Sequence, residues 1–125
     1  MGRIRRNIKV DGRQCWTLFD SGARNTYVAS SVAGPLSIYK AARPIRSAIG
    51  GHTRETDTAA MLEGEVDGHH ILVQALVIDD IGADEDGRPI EILFGALAMQ
   101  QWGIRLIPEE ERLDLSHYPE EFVEF

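Results

Sequence analysis

The stretch Leu18-Phe19-Asp20-Ser21-Gly22-Ala23 decides how this chain of 125 residues is read. Two apolar residues carry a strand into a carboxylate. A hydroxyl residue, a glycine and a small residue follow at once. Strand alternation puts Cys15, Thr17 and Phe19 on one face and Trp16, Leu18 and Asp20 on the other. Asp20 therefore ends a strand that runs out of the core. Gly22 lets the loop from Ser21 to Thr26 turn where a side chain would clash. Upstream, Asp11-Gly12 separates apolar-rich segments at 4–10 and 13–19, the strongest short-range hairpin signal.

Further along, 28–33 reads as a single helical turn or a short strand, closed by Gly34-Pro35. Residues 36–49 are extended. Ile49-Gly50-Gly51-His52 forms a flexible tip between arms at 43–49 and 53–65. Asp67-Gly68 turns the chain into a strand at 70–79, apolar on nearly both faces and so expected to be central and covered twice. An acidic, solvated loop spans 79–89. Ile92-Leu93-Phe94-Gly95-Ala96-Leu97 begins as the end of a strand at 90–94 and leads into a helix of about two turns at 96–102. Gly103 sits at that helix's C-terminal stop. Strands at 104–107 and 112–115 flank Pro108 and Glu109-Glu110-Glu111. No internal repeat is evident. Many short strands, regular glycine-containing turns and one late helix argue for an all-β fold in one domain spanning 1–125.

Composition narrows the function. The longest apolar run, Ile71 to Ile78 with Gln74 inside it, falls far short of the ~20 residues that cross a bilayer, so no membrane partner is expected. No signal-peptide core follows Met1-Gly2-Arg3-Ile4-Arg5-Arg6, and a cytoplasmic location is the expectation. Arg6 stands where a myristoylation motif requires Ser or Thr. The one cysteine, Cys15, reads as a buried structural thiol.

Residues 1–46 carry nine Lys or Arg against two acids, whereas 47–125 carry four against eighteen. With no nucleic-acid motif present, this asymmetry reads as basic and acidic portions packing together within or between subunits, and no nucleic acid is expected. His69 and His70 point to opposite faces of a strand, and His52 and His117 stand alone, so no metal site is expected. The acids of 79–89 lack the spacing of a calcium loop. No phosphate-cradling loop or other cofactor signature occurs. Trp16 and Trp102 are assigned to the core.

The pair Leu18–Ala23 and Ile92–Leu97, in that order, resembles the retropepsin-like (retroviral-type) aspartic proteases. There an apolar-apolar-Gly segment packs behind the Asp-containing loop. The resemblance implies the acid protease fold: a closed barrel-like half, a flap hairpin and one short helix, paired about a two-fold axis. It implies that Asp20 is catalytic and that Ser21, Gly22 and Ala23 support the site loop, with the Ser21 hydroxyl bonding across the axis. Ile49, Gly50 and Gly51 would be flap residues covering peptide, and Ile92, Leu93, Phe94 and Gly95 would pack behind the site. The tail 116–125 would be a possible dimer strand; a frayed end is the alternative. Two positions depart from the retroviral pattern: Arg24 stands in place of an Asp, and Ala96 in place of the Arg that pairs with it. Both members of that pair are missing together, so neither charge is stranded.

The chemistry explains why a single motif demands a homodimer. One exposed carboxylate is a weak base near neutral pH. Two within hydrogen-bond range share a proton, so one activates water while the other polarises the carbonyl. With one such Asp per chain, the second comes from a second copy. The expected activity is cofactor-free endopeptidase cleavage of peptide or protein substrates. The other reading is an inactive dimer that binds extended peptides main chain to main chain.

Overall fold

The computed structural model describes residues 2–125. Nine strands carry the fold: β1 (Arg3–Val10), β2 (Arg13–Asp20), β3 (Tyr27–Ala29), β4 (Ser37–Ile49), β5 (His52–Val66), β6 (His69–Ile78), β7 (Ile92–Phe94), β8 (Arg105–Ile107) and β9 (Arg112–Asp114). The helices are α1 (Ser30–Ala33) and α2 (Ala96–Trp102). Seven strands form one sheet in the order β1-β2-β7-β3-β6-β5-β4, while β8 and β9 make a separate hairpin. Lys9 of β1 also pairs with Glu65 of β5, which curls the sheet back on itself. That closure needs Gly64, where a Cβ would meet the Lys9 carbonyl oxygen at 2.5 Å.

Three two-residue turns set the registers. Asp11-Gly12, Gly50-Gly51 and Asp67-Gly68 all hold both central residues at positive φ, the type I′ geometry whose twist matches that of paired strands. β4 lies at the open edge of the sheet and pairs with β5 alone. Its register slips between Lys40 and Ile45, around Pro44, and an edge is where a sheet tolerates proline.

Parallel pairing places β7 beside β2, with Phe19 opposite Phe94 and their ring centroids 5.0 Å apart. Around these rings Ile8, Cys15, Val28, Leu62, Val66, Ile71 and Ile92 are fully buried. Met99 and Trp102 of α2 close one end of this core. A second apolar cluster of Tyr27, Ala59, Leu76, Ile78, Ile81, Ile90 and Leu93 lies under the β4–β5 hairpin. Burial pushes the Cys15 thiol pKa up, in keeping with a structural role.

Several elements depart from the sequence reading. The segment at 28–33 is both alternatives in succession, since β3 runs directly into α1. β6 lies between β3 and β5, but only its second half is covered on both faces. His70 and Leu72 stay exposed, Leu72 by 39%. The His69 ring meets Tyr118 at a tilt with centroids 4.7 Å apart, while His70 Nε2 lies 2.6 Å from Glu63. The tail contains no strand within the chain. Tyr118 stacks on Trp102 and Phe122 meets its edge at 5.3 Å.

The acidic loop is not simply solvated. Asp84 accepts from the N–H groups of Asp86 and Arg88 through Oδ1, each at 2.9 Å. Its Oδ2 accepts from the Trp16 indole at 2.9 Å and faces Arg5 at 3.5 Å. Arg5 is also within ion-pair range of Glu85 and Asp86. Trp16 is half-buried under this loop rather than in the main core, with the Arg88 guanidinium 3.9 Å from its ring centre. Beside it, Glu91 accepts from the Trp16 N–H at 2.8 Å and from Arg13 at 2.6 Å. Burial pushes the Glu91 pKa up, yet these two partners outweigh it and hold the carboxyl below its ordinary value.

The Trp16 indole and the Arg88 N–H lower the pKa of Asp84. Ionised Asp84 therefore favours the folded chain above its unfolded pKa, and that contribution is lost as pH falls through the folded value. Asp84→Asn is expected to lower Tm by several degrees at about pH 7, with the gap from the unmodified protein closing toward about pH 3. Thermal melts of both proteins across that range check it; a gap that stays constant contradicts the account.

Candidate active site

β2 delivers Asp20 to the end of its strand, where the residue is 8% exposed. Its Oδ1 accepts from the Gly22 N–H at 2.8 Å, which fixes the carboxylate over its own loop. Its Oδ2 lies 3.2 Å from Nε of Arg3, the cross-strand partner on β1. The Ala23 N–H donates to the Asp20 carbonyl at 3.1 Å and tightens the turn.

Ser21 continues the β1–β2 ladder by one residue. Its N–H donates to the Gly2 carbonyl at 3.0 Å, and its hydroxyl accepts from the Gly2 N–H at 2.8 Å. Within a single chain, then, Gly2 already engages the group that the resemblance assigns to a contact across the axis.

The loop rests on the start of α2 through its backbone. Ala96 N–H donates to the Ala23 carbonyl at 2.6 Å, and Leu97 N–H to the Arg24 carbonyl at 3.1 Å. Gly95 N–H donates to the buried Thr26 hydroxyl at 3.1 Å. A Cβ on Gly95 would overlap the Asn25 carbonyl and crowd the Arg24 oxygen. This backbone seat joins the loop to the helix where retroviral enzymes use an ion pair, and Ala96 suffices in it. Ile92, Leu93 and Phe94 lie behind the loop, opposite Thr17, Leu18 and Phe19.

The β4–β5 hairpin reaches over this floor. Ile49 is half-buried and packs on the second apolar cluster, which Ala23 and Leu18 also flank. Gly50 and Gly51 form the exposed tip. Two hydrogen bonds tie the hairpin down: the Tyr27 hydroxyl donates to Ser47 Oγ at 2.8 Å, and Thr56 Oγ1 donates to the Val77 carbonyl at 2.7 Å. The structure thus brings Ala23, next to the Asp20-Ser21-Gly22 turn, and Ile49 of the hairpin onto one apolar cluster, with Ile92–Phe94 paired beside β2 and Gly95 seated against the loop.

Sequence reasoning missed Arg3, Thr26 and the acid loop beside the cleft. Arg3 was detectable in principle, because Asp11-Gly12 as a two-residue turn fixes the register that sets Arg3 opposite Asp20.

No protein-family model matches the sequence, and no curated protein matches it. Solved structures do. The retroviral protease-like domain of Ddi1 from Leishmania major aligns with 93% of this chain and 90% of its own at 12% identity, with a TM-score of 0.60. EIAV protease complexed with an inhibitor aligns with 84% of this chain and 92% of its own at 20% identity, with a TM-score of 0.54. The chain has the all-β retropepsin-like acid protease fold.

Gly95→Ala forces the Asn25 carbonyl away from α2, and overpacking of this kind costs about 2–3 kcal/mol. Its Tm is expected to fall by roughly 10 °C. A thermal melt within about 2 °C of the unmodified protein would show that the loop does not depend on this seat.

Proposed function

We propose that this chain is an aspartic endopeptidase acting as a two-fold homodimer, with one Asp20 from each copy. The observation that carries the reading is the presentation of Asp20: a carboxylate at a strand end, oriented by the Gly22 N–H, on a loop whose Ala23 shares an apolar cluster with Ile49 of the glycine-tipped hairpin. Two such carboxylates facing each other hold one proton between them. The ionised member takes a proton from water as the water oxygen attacks the peptide carbonyl. The protonated member donates to the carbonyl oxygen, giving a tetrahedral diol. Return of a proton to the amide nitrogen breaks the C–N bond and releases an acid and an amine, so no cofactor takes part. Ser21 and Gly22 hold the two loops at the axis, Ala23 lines the floor, and Ile49, Gly50 and Gly51 exclude water from bound peptide. Ile92 to Gly95 keep the loop rigid from behind. A cytoplasmic setting suits the free, buried Cys15.

One observation favours the second reading, a dimer that binds extended peptide without cutting it. Nε of Arg3 lies 3.2 Å from Oδ2 of Asp20, an ion pair within one chain that competes with a second Asp20 for that oxygen. Productive assembly then requires Arg3 to move aside.

Mass measurement in solution is expected to give a homodimer at micromolar concentration, and a monomer under conditions of turnover would remove the shared-dyad mechanism. Cleavage of a diverse peptide library is expected to follow a bell-shaped pH–rate profile on the acidic to near-neutral side. Asp20→Asn is expected to reduce it at least about 100-fold without loss of the dimer. Retained cleavage would take Asp20 out of the site, whereas binding without cleavage in both proteins would favour the second reading.

A further inference from the structure

The underside of the β4–β5 hairpin carries a cation with no counter-charge. Arg54 faces Ser47 on the third rung from the glycine tip, after Ile49–His52 and Ala48–Thr53. Directly opposed residues share a face. That face points to the floor, because Ser47 Oγ receives the Tyr27 hydroxyl and Thr56, two residues beyond Arg54, donates to the Val77 carbonyl. The opposite face is exposed, and there Arg46 pairs with Glu55 across the strands.

Among the described residues, Arg54 Nε is the buried side-chain nitrogen that finds no acceptor, and Arg54 takes part in no ion pair. A guanidinium presents five N–H donors in a fixed fork that matches a carboxylate. Burying the Nε donor without an acceptor is unfavourable, and a carboxylate that enters beneath the hairpin meets the rest of the guanidinium fork and offsets that cost.

We propose that Arg54 is a specificity-determining residue that recognises a carboxylate on the peptide held beneath the hairpin, so that this cleft selects acidic peptides. The inference rests on the reading of the cleft as a peptide site but not on cleavage occurring there. The carboxylate is either a Glu or Asp side chain or the free C-terminus of the peptide; the chemistry at Arg54 is the same.

The test uses the Asp20→Asn protein, residues 1–125, so that binding is measured without turnover. The probes are fluorescent, C-terminally amidated Ala/Leu decapeptides with a single Glu moved through each position, each beside its Gln counterpart. A third set carries Gln and a free C-terminus. At one register, the Glu peptide is expected to bind at least about tenfold tighter than the Gln peptide. If the terminal carboxylate is the ligand, the free-acid set takes that advantage instead. Arg54→Met in the same background is expected to erase the difference while leaving Gln-peptide affinity unchanged and Tm no lower, and Arg54→Lys to restore part of it. Equal loss for Glu and Gln peptides, no charge preference at any register, no binding at all, or a preference that survives Arg54→Met would each overturn the inference. If the Asp20-bearing protein shows no cleavage while the Arg54-dependent preference persists, proteolysis fails and the carboxylate site stands. If it cleaves without such a preference, the reverse holds.

Discussion

The near-contact of two backbones at Gly95 is the constraint on which the rest of the structure depends. Parallel pairing of β2 and β7 requires the chain between them to leave the sheet and return, and the loop at 21–26 must pass beside the start of α2. It does so through hydrogen bonds to Ala23, Arg24 and Thr26, with the Asn25 carbonyl where a Cβ of residue 95 would be. Because these bonds are made largely by main chain, the side chains at 24 and 96 are released from holding the loop. Arg24 and Ala96 are thereby tolerated together, and the loop keeps its shape without an ion pair.

Charge is organised around the same strands. The basic first third and the acidic remainder meet within a single chain, through Arg5 with Asp84, Arg13 with Glu91 and Lys40 with Asp57. Exposed pairs such as Lys40–Asp57 contribute little. Asp84 is different: its carboxylate is withdrawn from solvent, accepts from three donors including the Trp16 indole, and is ion-paired with Arg5. The acid loop is therefore a structured wall beside the cleft, built on the outward face of the first hairpin.

Much of this was legible in the residues. Asp11-Gly12 and Asp67-Gly68 announced their hairpins, Gly103 ended α2, and alternation along β2 placed Phe19 inward and Asp20 at the strand end. What escaped was what depends on non-local partners. Trp16 reads as core by composition, yet it is half-buried at the margin of the second apolar cluster, where the distant Asp84 and Arg88 cover it. Tyr118 and Phe122 gave no sign that they would rest on Trp102. The exposed half of β6 was hidden by a nearly continuous apolar run, in which Leu72 is as apolar as its buried neighbours. Arg54 was one arginine among many until the hairpin register put it on the inner face.

The open strand β4 has one more consequence. It exposes Ile38, Tyr39 and Ile45 by 50%, 42% and 38% along a strand whose outer edge has no partner within the chain. Such an edge is a template for uncontrolled strand addition between copies, the first step toward fibrous aggregates. The chain interrupts that template in three ways at once: Pro44 removes a donor, the slip between Lys40 and Ile45 breaks the repeat, and charged side chains at Lys40, Arg43 and Arg46 would have to be desolvated by an added strand. The irregularity of β4 is thus a colloidal safeguard, which limits strand addition between copies along a long, glycine-tipped hairpin at the margin of the sheet.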